Sequence, residues 1–211
     1  MIVFVLTLFL VGVYGKDYTL PGECLDVKVH QNFDYTKFSG RWYRTAFYDS
    51  NREIDSDCAT LDIQENYPNY RLMETYIDEE DGNRTQKTYS VKLEPSFAAG
   101  NVAQYTIKQE VLGVMMEVPF IILSTDYDNY AIAYYCRWLK EKKRTHFIFT
   151  WVLTRSKIVP QNMLEKISSA LCENKELAAH QDDFVNKRFT NNTCAYSQKT
   201  EIDFYDTVFL N

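Results

Sequence analysis

The feature that most constrains the fold of this chain is a period-two alternation of apolar and polar residues between Arg41 and Leu153. Successive side chains of a β-strand point to opposite faces of a sheet, so this period predicts strands rather than helices. In the clearest stretch, residues 114 to 122, one face carries Val114, Met116, Val118, Phe120 and Ile122. The central part of the chain is therefore predicted to consist of antiparallel strands.

Turn-forming residues interrupt the alternation at regular intervals. They occur at Asn66–Asn69, Asp81–Asn83, Gly100–Asn101, Leu112–Gly113 and Asp126–Asn129. Regular spacing of this kind predicts a meander of strands in a sandwich or a barrel. About eight strands fit the available length, and closing eight strands into a barrel removes unpaired edges while leaving room for one small ligand. We therefore expect an all-β fold, an eight-stranded antiparallel up-and-down barrel with one C-terminal helix.

Helical periodicity appears only after Pro160, where apolar residues such as Met163, Ile167 and Leu171 recur at spacings of three and four. This pattern predicts an amphipathic helix over about residues 161–178. A short strand is expected near Cys194–Tyr196, and the tail 200–211 has no clear periodicity. With no repeat or linker in view, residues 16–199 are predicted to form one domain.

The first 15 residues contain no charge and are too few to span a bilayer. They end in Val13-Tyr14-Gly15, and the segment 1–15 is interpreted as a secretory signal peptide, although the usual positive charge at its start is missing. A retained membrane anchor is the alternative. No later apolar run is long enough for membrane insertion, so a secreted, extracellular protein with pairing cysteines is expected.

Charge and motif content argue against several function classes. The chain has 23 basic and 29 acidic residues, a net charge of -6, which disfavours a nucleic-acid partner. The histidines at 30, 146 and 180 lack the spacing of a zinc site, and neither a Gly-x-Ser-x-Gly motif nor a phosphate-binding glycine loop is present. The sequence therefore predicts no metal, no catalytic residue and no enzyme.

Three short motifs occur in order: Gly40-Arg41-Trp42, Thr125-Asp126 followed by Tyr130, and a late strand from Trp151 that ends at Arg155. In this combination the sequence resembles the lipocalins. The similarity extends from about Cys24 to Tyr196 and is greatest to the insect bilin-binding proteins, the insecticyanins and apolipoprotein D-like lipocalins.

The resemblance implies that the three motifs meet at the closed end of the barrel. Trp42 would fill the base and Arg155 would lie over its indole ring, so both are expected to be structural.

The five cysteines allow 15 pairings of two disulfides when residues alone are considered. The resemblance implies Cys24–Cys136 and Cys58–Cys194. Cys172 would then be a small buried residue on the helix, the alternatives being covalent dimerisation or attachment of a chromophore.

If Cys136 points outward to reach Cys24, alternation sends its neighbours inward. Applied to each strand, this parity gives a large apolar and aromatic interior, as expected of a small-molecule site. The predicted ligand-binding residues are Glu74, Tyr76, Tyr89, Tyr105, Ile107, Val111, Val114, Met116, Val118, Tyr135, Arg137, Phe147, Phe149 and Trp151.

The resemblance and this interior together predict a carrier of a bilin pigment such as biliverdin. A flat tetrapyrrole suits aromatic walls. The basic loop Lys140–Arg144 and the acidic run Asp78–Asp81, expected on opposite sides of the open end, are of a kind that usually forms solvated turns. The functional interpretation is that Arg137, Arg52 or the basic loop pairs with the carboxylates of the pigment. Glu74 and Tyr76 suit a bilin less well, because the resemblance implies amide or imidazole groups on that strand. A buried Glu74 would need a partner or a raised pKa.

A retinoid, carotenoid, fatty acid or sterol is the alternative cargo, and an amine-sequestering or signalling lipocalin or an isomerase is ranked lower. Asn83 and Asn191 begin predicted N-glycosylation sequons. The oligomeric state is left open, with a homo-oligomer among the options.

Overall fold

The computed structural model describes residues 19–50, 56–96, 102–111, 114–139 and 144–203. For residues 109–111, 114–116, 202 and 203 it describes the backbone and not the side chains. The predicted signal peptide 1–15, Arg52, Lys140–Lys143 and the last eight residues lie outside the described part of the chain.

Eight antiparallel strands form a closed barrel, as the alternation predicted. Each strand pairs with the next along the chain, and the first also pairs with the last, which closes the sheet. After a two-residue strand β1 (Leu20–Pro21) and a short helix α1 (Tyr35–Phe38), the barrel strands are β2 (Gly40–Asp49), β3 (Asp57–Asn66), β4 (Asn69–Glu80), β5 (Asn83–Pro95), β6 (Gln104–Val111), β7 (Val114–Thr125), β8 (Tyr130–Leu139) and β9 (Thr145–Thr154).

The segment after the barrel contains helices α2 (Gln161–Cys172) and α3 (Lys175–Ala179), with a break at residues 173–174. A two-residue strand, β10 (Val185–Asn186), pairs with β2. The short strand expected near Cys194–Tyr196 lies farther along, at Gln198–Asp203 (β11), and so includes the first residues of the predicted tail. No helix in the described ranges is long and apolar enough to cross a bilayer.

Strand β11 pairs in parallel with β5, from Gln198 opposite Thr85 to Asp203 opposite Ser90. Because β4 pairs with one edge of β5 from Asn83 to Leu93, β11 must lie on the other edge, which faces β6. Strand β6 itself pairs with β5 only over Leu93–Pro95. The C-terminal strand therefore extends the barrel wall where β5 and β6 separate.

The base of the barrel is built around Trp42 and Arg155. The Trp42 side chain is fully buried, and its indole Nε1 donates to the Phe38 carbonyl oxygen at 2.9 Å. The guanidinium carbon of Arg155 lies 3.6 Å from the centre of the Trp42 ring, a cation–π contact. The nitrogens of Arg155 donate to the carbonyl oxygens of Tyr127, Arg41, Lys37, Phe38 and Ser39.

The barrel wall is buried on both faces where α2 covers it. In β8, Ala131 and Ala133 pack in the inner core, while Ile132 and Tyr134 belong to an outer cluster. The apolar side of α2 completes that outer cluster with Met163, Ile167, Ala170 and Leu171. This double burial explains the nearly continuous apolar run of β8, in which alternation is hard to see.

Both disulfides implied by the lipocalin resemblance are present, Cys24–Cys136 and Cys58–Cys194. They join residues 112 and 136 positions apart. Loops of this length remove enough entropy from the unfolded chain to contribute about 5 kcal/mol each in the chain-entropy model.

The expected burial of Cys172 is wrong, since this free cysteine is exposed. The buried side of α2 runs through Met163, Ile167 and Leu171. At 100° per residue, Cys172 lies nine positions and two and a half turns after Met163, on the opposite side of the helix.

Candidate ligand cavity

Cross-strand register brings the predicted inner residues of β8 and β9 together. Tyr135 lies opposite Phe149, Arg137 opposite Phe147, and Ala133 opposite Trp151. Residues directly opposite each other in a sheet share a face, so these side chains form one wall. The same register joins Ile107 to Val118 across β6 and β7.

A cavity of about 200 Å³ lies inside this wall. Its lining is apolar and contains five of the predicted ligand-binding residues, namely Ile107, Val118, Tyr135, Phe149 and Trp151. Pro119, Phe120 and Ala133 also line it. An apolar, concave lining of this kind accommodates the body of a small hydrophobic molecule.

Aromatic rings extend the wall toward the open end. The Tyr135 and Phe149 rings stack with centres 5.8 Å apart, and Phe147 meets Phe149 edge-on at 5.4 Å. The guanidinium carbon of Arg137 lies 5.9 Å from the centre of the Phe147 ring. This arrangement places a cation beside flat aromatic surfaces near the open end.

Tyr105 occupies the floor beneath the cavity. Its side chain is fully buried, with its ring 5.0 Å from that of Tyr35 and 6.2 Å from that of Phe120. Burial raises the pKa of the Tyr105 phenol well above its usual value. Since Phe120 is in turn 5.9 Å from Trp151, the floor and the cavity wall form one continuous aromatic cluster.

Arg44 is a residue of the interior that the sequence interpretation missed. It is 1% exposed, and its Nη1 lies 3.3 Å from Oε1 of Glu74, while Nη2 donates to the Ser56 hydroxyl. Burial raises the pKa of Glu74, and the positive charge of Arg44 offsets part of that rise. Because Arg44 follows Trp42 by two residues on β2, period-two parity from Trp42 would have placed it inside.

Arg44 also touches the aromatic wall. Its guanidinium carbon lies 5.8 Å from the centre of the Trp151 ring and 5.2 Å from that of Phe47. Two donors in this region, Nε of Arg44 and Nε1 of Trp151, are buried without a hydrogen-bond partner among the described residues.

The Tyr76 and Tyr89 rings stack with centres 5.8 Å apart. Burial, followed by the hydrogen bond and charge interaction with Tyr89, raises the pKa of Tyr76. Tyr89 lies directly opposite Glu74 in the β4–β5 register, so this stacked pair adjoins the Arg44–Glu74 pair.

Two cations of β5 pair with three carboxylates of the acidic run Asp78–Asp81 at the β4–β5 turn. The ammonium group of Lys87 lies 2.5 Å from Asp78 and 3.2 Å from Glu80, and Arg84 lies 2.5 Å from Glu79. This run is therefore a salt-bridged turn. Arg52 and residues 140–143 of the basic loop lie outside the described residues, whereas Arg144 is described and exposed.

Other predicted sites remain predictions. The side chains of Val111, Val114 and Met116 are outside the described part, although their backbones pair across β6 and β7. Asn83 and Asn191 are both exposed, one at the start of β5 and the other in a turn. Among the described residues, no group of three or more His, Cys, Asp or Glu side chains could hold a metal ion.

Residues 39–191, more than half of the chain, match the model of the Lipocalin / cytosolic fatty-acid binding protein family. The chain belongs to the lipocalin family. Lipocalins are carriers of small hydrophobic ligands.

Similar proteins include insecticyanin-A of Manduca sexta, 26% identical over 86% of this chain and 94% of that protein. The bilin-binding protein of Pieris brassicae is 28% identical over 74% of this chain and 79% of its own length. Apolipoprotein D of Mus musculus is 30% identical over 76% and 80%. The solved structure of insecticyanin from the tobacco hornworm Manduca sexta superposes on this lipocalin with a TM-score of 0.73 at 24% identity, covering 87% of this chain and 95% of that one.

Proposed function

We infer that this lipocalin is a secreted carrier of a bilin, with biliverdin as the first ligand to test. The observation that carries this inference is the stacked aromatic wall of Tyr135 and Phe149 beside Arg137 and Phe147. Flat conjugated rings stack on aromatic side chains, and the propionate groups of a bilin are suited to a guanidinium near water.

The comparisons support this choice of ligand. Two of the similar proteins are named insecticyanin-A and bilin-binding protein, and each aligns with about three quarters or more of this chain. The two disulfides support secretion, because such bonds persist in oxidising compartments.

Titration with biliverdin tests the proposal. We expect a red-shifted visible absorption band together with quenching of tryptophan fluorescence, since Trp151 lines the cavity. The chain has three tryptophans, which allows a matched control. Trp151→Phe should remove most of the quenching, whereas Trp138→Phe, at a residue on the outer side of β8, should retain it.

A second candidate is a carrier of a retinoid, carotenoid, fatty acid or sterol. It is favoured by the wholly apolar lining of the 200 Å³ cavity. If biliverdin changes neither the absorption nor the fluorescence while retinol or a fatty acid quenches Trp151, the bilin proposal is wrong and the general carrier function stands. The mass and colour of the molecule that co-purifies from the native source would decide between the two.

A further inference from the structure

We propose that Arg44 and Trp151 form a polar subsite inside the barrel that binds a neutral carbonyl oxygen of the ligand. The proposal deepens the carrier function, since it assumes that the ligand occupies the barrel interior. The subsite would bind the buried end of the ligand, whereas Arg137 would bind the end near the open rim.

The first argument is the unmet hydrogen-bonding capacity of two buried donors. Arg44 is 1% exposed, and neither its Nε nor Nε1 of Trp151 has a hydrogen-bond partner among the described residues. A buried donor without an acceptor is costly, so native proteins seldom contain two close together. A ligand acceptor would satisfy both.

The second argument is position. The guanidinium carbon of Arg44 lies 5.8 Å from the centre of the Trp151 ring, and Trp151 lines the apolar cavity. A hydrophobic molecule in that cavity would therefore bring its inner end beside these donors. The other lining residues, such as Ile107, Val118 and Phe149, offer apolar side chains at this depth.

The third argument concerns charge and separates a carbonyl from a carboxylate. Nη1 of Arg44 lies 3.3 Å from Oε1 of Glu74, so the cation is already paired. A ligand carboxylate at the subsite would approach the carboxylate of Glu74 in a region of low dielectric. A ketone, aldehyde or lactam oxygen accepts the same hydrogen bonds without that repulsion.

The test compares three ligands with similar chains: 2-heptadecanone, palmitate and heptadecane. Their affinities are measured by displacement of Nile red from the full-length protein. We expect the ketone to bind at least tenfold more tightly than the alkane and more tightly than palmitate. Trp151→Phe should reduce the ketone-to-alkane ratio about threefold or more, and Trp138→Phe should leave it unchanged.

Glu74→Gln provides a second, independent readout. The substitution keeps the size of the side chain but leaves the charge of Arg44 without its counter-ion. Palmitate affinity should then rise about tenfold or more, while ketone affinity should change less than threefold. A double variant, Arg44→Met with Glu74→Leu, should lower the ketone-to-alkane ratio about threefold or more, because only the Trp151 donor remains.

The proposal is overturned if the ketone binds no more tightly than the alkane in the wild-type protein, including the case in which none of the three displaces the dye. It is also overturned if palmitate is the preferred ligand before Glu74 is changed. Because biliverdin binding is measured separately, either result leaves the bilin proposal to stand or fall on its own titration.

Discussion

Two arginine–tryptophan contacts among the described residues of the barrel, one at its base and one in its interior, differ in how fully their polar atoms are hydrogen-bonded. At the base, Arg155 donates to five carbonyl oxygens, and the indole Nε1 of Trp42 donates to one of these, the carbonyl oxygen of Phe38. In the interior, Nε of Arg44 and Nε1 of Trp151 have no acceptor among the described residues.

The two contacts use neighbouring positions of the same strands. Trp42 and Arg44 are two residues apart on β2, while Trp151 lies on β9 and Arg155 directly follows that strand. At the base, where the arginine–tryptophan pair stabilises the fold, its hydrogen-bond donors therefore have acceptors. In the interior, the two donors lack acceptors, and a ligand can supply one. This difference separates a structural from a functional role for residues of identical chemistry.

The largest effect expected from the comparison is that of Arg155→Met. Loss of the cation–π contact and of hydrogen bonds from a charged donor should lower the free energy of unfolding by about 3 kcal/mol. Urea denaturation measures the change. Arg41→Met is the matched control: its bidentate pair with Asp62 is exposed, so about 0.5 kcal/mol is expected. Similar losses in both variants would contradict a special role for Arg155.

The next largest effect separates the two tryptophans. Trp42→Phe removes a satisfied donor and leaves a space in the closed base, so we expect a loss of about 2 kcal/mol in stability. Trp151→Phe removes a donor that has no partner among the described residues, so the unliganded protein should lose less than about 1 kcal/mol. Thermal and urea unfolding of both variants test the difference, and equal losses would contradict separate roles for the two tryptophans.

A smaller effect is expected at Gly40, which begins β2 beside the base contact. Its φ is +96°, and an added Cβ would lie 3.2 Å from Nη1 of Arg155. Gly40→Ala should therefore cost about 1–2 kcal/mol of stability through backbone strain and a displaced guanidinium. Gly82→Ala, at φ +76° in an open turn with nothing within 4 Å of the added Cβ, isolates the backbone contribution. A larger loss at Gly82 would show that the approach to Arg155 is unimportant.

Replacing the interior pair of Arg44 and Glu74 should not lower the free energy of unfolding, in contrast to the substitutions at the base. Replacing a buried ion pair by apolar residues of similar volume is often neutral or stabilising. Arg44→Met with Glu74→Leu should therefore leave the free energy of unfolding unchanged or raise it by about 1 kcal/mol. A loss of more than about 1 kcal/mol would mean that the pair supports the fold, as Arg155 does.

Much of the fold was predictable because its signals are local. Alternation and turn residues predicted the eight strands, and the motifs at Trp42 and Arg155 placed the base through the lipocalin resemblance. Cys172 was wrongly predicted to be buried, because the boundary between the buried and exposed faces of helix α2 depends on how the helix packs against the barrel. The pairing of β11 with β5 depends on the separation of β5 from β6, which no pattern within residues 198–203 records.

The candidate site was predictable in its apolar part and not in its polar part. Parity identified Ile107, Tyr135, Phe149 and Trp151, because each follows from the alternation of one strand. The partner of Glu74 was missed because Arg44 lies on β2, across β3 from β4. Such a pair depends on side-chain reach across the barrel, which the sequence of neither strand specifies.

The pH dependence of stability gives the most delicate test of the interior pair. Burial raises the pKa of Glu74 in the folded state above its unfolded value of about 4.3, despite the opposing effect of Arg44. The native state then holds this proton more tightly than the unfolded state does. Stability contributed by the neutral carboxyl is therefore present at low pH and lost as the pH rises through the folded pKa.

Relative to Glu74→Gln, the wild-type protein should thus become progressively less stable as the pH rises above the unfolded pKa of about 4.3, as measured by urea unfolding at each pH. The comparison with the Gln variant cancels titration of carboxyl groups elsewhere. If the stability of the wild-type protein relative to Glu74→Gln instead rises with pH, Arg44 holds Glu74 ionised with a lowered pKa. In that case the interior arginine would stabilise the fold as the basal one does, and the contrast between the two contacts would rest on the unpaired donors alone.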